Sequence, residues 1–191
     1  MRSRRVWTVT LLVALLCASS CALALASGGG IRVGSPAFKN GATIPDPYTC
    51  AGAGESPPLH FSGVPRGAKS LALSVIDTDG SGTGPHGFTH WTVYDLSPKL
   101  DGLSARKVPS GARQGTNDFG HVGYGAPCPP KGKAHHYMFT LYALSGNLSV
   151  RGGAAPSAVE RAIAAKQIAQ GQLVGLSPSS APHKRPPRST G

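Results

Sequence analysis

The sequence has 191 residues, a formal net charge of +11 at pH 7, and many turn formers, with 26 Gly and 17 Pro. That composition disfavours a helical bundle and favours short strands joined by loops. Its 19 Lys and Arg are scattered, with no helix-turn-helix, finger or tract of interleaved bases and aromatics, so specific nucleic-acid recognition is not indicated.

Arg2, Arg4 and Arg5 precede an apolar run over 6–17, and small residues follow as far as Ala26. This is the order of a signal peptide (1–26) cleaved after Ala26, and the run falls short of the roughly 20 residues that a bilayer span needs. Acylation on Cys21 is the weaker alternative, because Ala18-Ser19-Ser20 lacks the large aliphatic residue usual ahead of a lipidated cysteine. Export implies a secreted or periplasmic protein with one domain over 27–176 and a basic disordered tail over 177–191. Cys17 and Cys21 fall in the leader, which leaves Cys50 and Cys128. An oxidising compartment allows that pair to form a disulfide, although the sequence does not show that the two thiols meet.

In chain order, Ser27–Gly30 leads into a first strand at Ile31-Arg32-Val33, and Phe38 anchors the chain before the Asn40-Gly41 turn. Residues 44–59 are too rich in Pro and Gly for regular structure, yet Ile44, Tyr48 and Leu59 anchor them as an ordered loop. After His60–Val64 and the Pro65-Arg66-Gly67 turn, Ser70–Asp77 reads as a strand buried on much of both faces. It runs into Asp77-Thr78-Asp79-Gly80 and a glycine-rich loop, before a second strong strand at His90–Leu96. Residues 100–125 read as a long loop with at most short strands, with Phe119 turned inward.

The third strong strand is His136–Leu144, followed by a short strand at Leu148–Val150. Ser157 and Glu160 then make a capping box for one helix, with Val159, Ala162, Ile163, Ile168 and Ala169 as its apolar stripe and Gly171 as its terminator. Gln172–Leu176 reads as a final short strand.

Ligand-capable side chains gather at the ends of the three strong strands: Asp77 and Asp79, His86 and His90, His135, His136 and Tyr137. Strand alternation puts His135 and Tyr137 on one face and His136 on the other. An aspartate orienting one imidazole, with further N–H donors nearby, suits a small anion or a phosphate-like group. A helical zinc pair is disfavoured, since Gly87 and the strand at His90 interrupt the His86–His90 spacing. No G-x-S-x-G elbow presents a serine, and a thiol nucleophile at Cys50 or Cys128 requires that the pair be unbridged.

The stretches IPDPYTC (44–50), SPPLHFSGVP (56–65), IDTDG (76–80), HWTVYDL (90–96), GYGAPCPPKG (123–132), HHYMFTLYAL (135–144) and QLVG (172–175) together resemble the phosphatidylethanolamine-binding protein family, in its bacterial Raf-kinase-inhibitor-like branch. The resemblance implies a mainly β, sandwich-like fold with one or two peripheral helices and a conserved anion pocket. It also implies a pocket of Asp77, Asp79, His90, His135 and Tyr137, walled by Cys128 and Pro129. Two departures stand out: Thr78 replaces a proline, which is expected to loosen the loop, and His136 replaces an arginine, which is expected to alter a structural ion pair. The implied function is a non-enzymatic binding protein for a phosphate-like anion or phospholipid head group, without a cofactor. The alternatives are a protein-interaction module, such as an extracellular protease inhibitor, and a low-activity thiol or serine hydrolase.

Overall fold

Two β-sheets face one another across an apolar core in the computed structural model, which describes residues 30–178 apart from residue 85. The expected leader, 1–26, and residues 179–191 of the expected tail lie outside the described residues. The smaller sheet has the order β1-β3-β6, formed by Arg32–Gly34, Leu59–Ser62 and Gly102–Leu103. The larger has the order β2-β9-β8-β4-β5-β7, formed by Ala42–Thr43, Gln167–Ser177, His135–Leu144, Ser70–Asp77, Phe88–Leu96 and Arg113–Gln114. Neighbours are antiparallel except β2 and β9.

The alternation in β4 explains the layering. Leu71, Leu73 and Val75 pair in register with Ala143, Leu141 and Phe139 of β8, and all six belong to the core between the sheets. Ala72 points the other way, into a smaller cluster with Tyr94, Leu144, Val159 and Ile163. There the helix α1, Pro156–Ala164, covers the outer face of the large sheet. With apolar partners on both sides, every residue of β4 is buried.

Several expected elements are redrawn. Ser157 does not cap α1: Ala155 occupies the cap position without a side-chain bond, and Pro156 starts the helix with its φ already set. The Glu160 carboxylate turns instead toward the sheet and accepts a bond of 3.4 Å from the Thr89 hydroxyl. The helix stops at Ala164, so Gly171 is not its terminator but a residue of β9. A side chain at Gly171 would strike the Ile31 backbone, with its Cβ 2.1 Å from the carbonyl oxygen. The final strand is thus not short but eleven residues long, and Ile168 is exposed on it. Leu148–Val150 is not a strand, although Leu148 is buried and its N–H donates to Asp95 Oδ1. Phe119 is not turned inward; it is 47% exposed.

Cys50 and Cys128 form a disulfide that joins the loop after β2 to the loop before β8, across 78 residues of sequence. Closing a loop of that length in the unfolded chain is worth about 4.5 kcal/mol on the chain-entropy account. Reduction, or Cys50→Ser with Cys128→Ser, is expected to lower unfolding stability by up to this amount. Denaturant titration with and without a thiol reductant measures it, and an unchanged midpoint would mean that the bridge constrains nothing.

Candidate functional site

The end of β4 lies beside the start of β8, so Asp77 lies opposite Tyr137 on the same face as the core. His135, two residues earlier on β8, shares that face. The Asp77 carboxylate is nearly buried, and its oxygens are fully engaged. Oδ1 accepts the backbone N–H groups of Asp79 and Gly80, each at 3.0 Å. Oδ2 lies 2.7 Å from Nδ1 of His135, which donates to it. The loop amides thus fix the carboxylate and the carboxylate fixes the ring, leaving Nε2 as the ring's second polar atom.

His90 arrives by a different route. Plain alternation would put it opposite Trp91, yet the β4–β5 register shifts here: Val75 pairs with Trp91 and Ile76 with Thr89. His90 is the extra residue of a β-bulge, and the bulge aims it at the face of its neighbour Trp91. Its ring meets Tyr137 edge-on, with centroids 5.0 Å apart, and Phe119 at 5.2 Å. Nδ1 lies 2.8 Å from the Gly125 carbonyl, which only accepts, so Nδ1 carries the proton. The Gly125 N–H donates back to the His90 carbonyl at 2.8 Å. Burial pushes the His90 pKa down, against the Gly125 bond and the charge of Asp77, so the ring is neutral near pH 7.

Tyr137 completes the cluster. Its hydroxyl is buried and makes no hydrogen bond of ordinary geometry, although the Asp77 side chain and the Cys128 backbone lie close enough to interact with it. Burial, then the Asp77 charge, pushes its pKa well above the usual phenol value. A buried hydroxyl without a partner is uncommon in a folded protein and calls for an explanation.

The remaining expected site residues lie around this group. Asp79 faces outward: its Oδ2 takes the His136 N–H at 2.7 Å and lies 2.8 Å from His136 Nδ1. Those bonds, the backbone one first, hold the Asp79 pKa below the usual carboxylate range. The Thr78 N–H donates to the His136 carbonyl at 3.0 Å, a bond that proline could not make. Pro129 is buried, while Cys128 is exposed and spent in the disulfide. With both sulfurs bridged, the thiol-hydrolase alternative has no nucleophile at Cys50 or Cys128.

An open recess of about 300 Å³ is lined by Asn117, Phe119, Tyr124, Gly125 and Cys128, among others. Its lining omits Asp77, His135 and Tyr137, and it meets the cluster through the Phe119 and Gly125 contacts of His90. Sequence reasoning missed two residues that build this wall. Buried Asn117 donates to the Gly123 carbonyl and accepts from the N–H groups of Phe119 and His121. Asp118 accepts the Thr89 N–H at 2.7 Å and, through its other oxygen, the N–H and hydroxyl of Thr83. The Asn117–Gly120 turn was legible, but nothing local tied it to a histidine 27 residues earlier. Among the described residues, no three His, Cys, Asp or Glu side chains converge to hold a metal ion.

A family model described as phosphatidylethanolamine-binding protein matches residues 34–177. The UPF0098 protein of Aquifex aeolicus is 44% identical over 158 residues, covering 79% of this chain and 90% of its own. The crystal structure of Escherichia coli YbcL, titled a new member of the mammalian family of this kind, superposes with a TM-score of 0.73 at 33% identity. A homolog from Chlamydia trachomatis, CT736, gives 0.71 at 39%. Each alignment covers 79% of this chain and 99% of the solved one.

The lowered His90 pKa has a consequence for stability. Below the ordinary histidine value of about 6.5, the unfolded chain takes up a proton that the folded ring resists. The unfolded state then holds more protons, so stability falls as pH drops through 6.5 toward the lower folded value. Denaturation midpoints at pH 7 and pH 5 are expected to differ less in His90→Gln than in the parent protein. Equal acid sensitivity of the two would remove His90 as the source.

Proposed function

Because this chain belongs to the phosphatidylethanolamine-binding protein family, we propose that it is a non-enzymatic binding protein whose pocket takes a small anion or a phosphorylated head group at Asp77, His90, His135 and Tyr137. The observation that carries this reading is the buried, unpartnered Tyr137 hydroxyl next to a histidine already oriented by Asp77. A phosphate oxygen would accept that O–H and replace a missing bond with a charge-assisted one. Both imidazoles commit Nδ1 to fixed acceptors, so Nε2 is the atom each ring offers to a ligand.

None of these four residues is a Lys or an Arg, so the positive charge that a bound anion requires has to come from protonated imidazole. For His90, burial opposes that protonation and a bound anion favours it. Binding therefore takes up protons and tightens as pH falls. Asp77 does not repel the ligand at full strength, since two amide N–H groups and His135 already surround its charge. Asp79, Cys128 and Pro129 then act at the margin, Asp79 through His136 and the other two through the wall. Acyl chains of a lipid need not enter.

Export to a secreted or periplasmic compartment is the setting proposed, with the signal-peptide order of 1–26 and the Cys50–Cys128 bridge in its support. Among the described residues, no helix is long and apolar enough to cross a membrane.

Titration with inorganic phosphate, followed by backbone amide shifts, tests the pocket. Shifts are expected at His90, His135, Tyr137 and Gly125, with affinity rising from pH 8 to pH 6. His135→Ala is expected to abolish the response. Tyr137→Phe removes a bond to a charged group and is expected to weaken phosphate binding about tenfold or more. The same substitution is expected to leave stability unchanged or slightly raised, because it deletes an unsatisfied buried polar atom. No amide response at millimolar phosphate, or a Tyr137→Phe protein that binds as the parent does, would defeat this reading.

A further inference from the structure

The wall beside the pocket has no sheet ladder to hold it. Residues 124–134, which lead into β8, belong to no helix or strand. Their placement rests on two sets of contacts. One set is with the pocket: the Gly125 N–H donates to the His90 carbonyl and the Gly125 carbonyl accepts from His90 Nδ1, each at 2.8 Å. The other set is with the loop after β2. The Tyr124 hydroxyl donates to the Tyr48 carbonyl at 2.9 Å, and the Cys50 N–H donates to the Pro127 carbonyl at 3.0 Å. Gly54 packs so closely that a Cβ there would lie 3.3 Å from the Ala126 methyl. The Cys50–Cys128 bridge is the covalent member of this second set.

The loop that braces the wall is irregular as well. After the short 3-10 helix Asp46–Tyr48, residues 49–58 form no helix or strand. Two segments without ladders therefore align each other, and one covalent bond crosses between them. A cross-link placed there governs local order more than one between strands that are already paired. It is also open to reagents, since Cys128 is exposed and Cys50 only partly buried. Exposed bridges are the ones that exchange with external thiols.

We infer that the Cys50–Cys128 bridge is a redox switch on the pocket. Closed, it holds the wall so that Gly125 orients His90; opened by an external dithiol, it lets the wall shift and lowers the affinity for the anion. The exchange is a two-electron step. A thiolate of the dithiol attacks Cys128 Sγ, the S–S bond breaks, and Cys50 leaves as a thiolate that takes up a proton. The second thiol of the dithiol then attacks the mixed disulfide and releases Cys128. The protein ends with two thiols and the dithiol becomes a disulfide. The inference deepens the pocket reading and rests on it for the ligand. Linkage makes the effect reciprocal, so bound phosphate resists reduction of the bridge by the factor that reduction weakens phosphate binding. A bridge that served only as a staple would act on unfolding and leave the folded pocket as it is.

The test compares the bridged protein, the same protein reduced with dithiothreitol, and a Cys50→Ser, Cys128→Ser double variant. Each is titrated with inorganic phosphate while amide shifts and the His90 ring nitrogens are followed by NMR. Both open forms are expected to bind phosphate about tenfold more weakly, with His90 moved away from the Nδ1–H tautomer. Dithiothreitol is expected to change nothing in the double variant. Equal phosphate affinity in bridged and open forms would overturn the switch. If the bridged protein shows no phosphate response, the pocket reading falls and the His90 ring decides: a ring that changes on reduction sustains control by the bridge, and an unchanged ring overturns it. Where the open forms do not stay folded, Tyr124→Phe keeps the bridge and removes a neighbouring join. That variant is expected to move His90 the same way and to weaken phosphate binding by a smaller factor, and a Tyr124→Phe protein indistinguishable from the parent would overturn the inference.

Discussion

The buried carboxylate of Asp77 is the constraint around which this end of the molecule is arranged. A carboxylate taken out of water destabilises a fold by several kcal/mol unless donors surround it, typically about 3–5 when one partner of a buried pair is missing. Three donors do so here, two from one loop and one from a neighbouring strand. The Asp79 and Gly80 amides start the glycine-rich loop, and His135 starts β8. The electrostatic need of one side chain therefore sets the loop, the histidine and the register that brings Tyr137 opposite. The loop's glycines follow from the same crowding: Gly87, at φ 127°, passes so close to Asp77 that a Cβ would lie 2.2 Å from its carbonyl oxygen.

Much of this was legible because strand alternation is a strong physical rule. It separated His135 and Tyr137 from His136, and it identified β4 as buried on both faces, since a run of Leu, Ala, Val and Ile fits a strand between two apolar layers. What stayed hidden depended on contacts distant in sequence. The bulge at His90 breaks the alternation, and its cause lies in pairing with β4 and in the Gly125 backbone, not in the residues beside it. The Ser157–Glu160 pattern promised a capping box, but Pro156 already satisfied the helix start and the Thr89 hydroxyl competed for the carboxylate. Gly171 read as a helix stop because both a helix end and a close strand crossing favour glycine, and only the position of Ile31 decides between them.

The disulfide occupies an intermediate position between these cases. Exported cysteines made a bridge reasonable, yet the two lie far apart in sequence and only the fold brings them together. Its place is informative. Near it, Cys50 N–H donates to Pro127 and Tyr124 donates its hydroxyl to the Tyr48 carbonyl, so the 46–50 turn and the 123–128 wall are joined at three points. That wall carries the Gly125 carbonyl that sets the His90 tautomer. The bridge and the His90 tautomer therefore share one wall segment.

The two departures from the family pattern prove to be neighbours, and they act together. Thr78 supplies an N–H that a proline would lack, and it is spent on the carbonyl of His136. His136 in turn supplies its N–H and Nδ1 to Asp79. An arginine at 136 would carry a fixed charge there, whereas histidine gives a shorter, titratable group held on the outer face. The Thr78 bond adds to the β4–β8 pair at the point where His136 holds Asp79. Because position 136 points away from the pocket, this exchange does not alter the four inner groups, none of which is a Lys or an Arg.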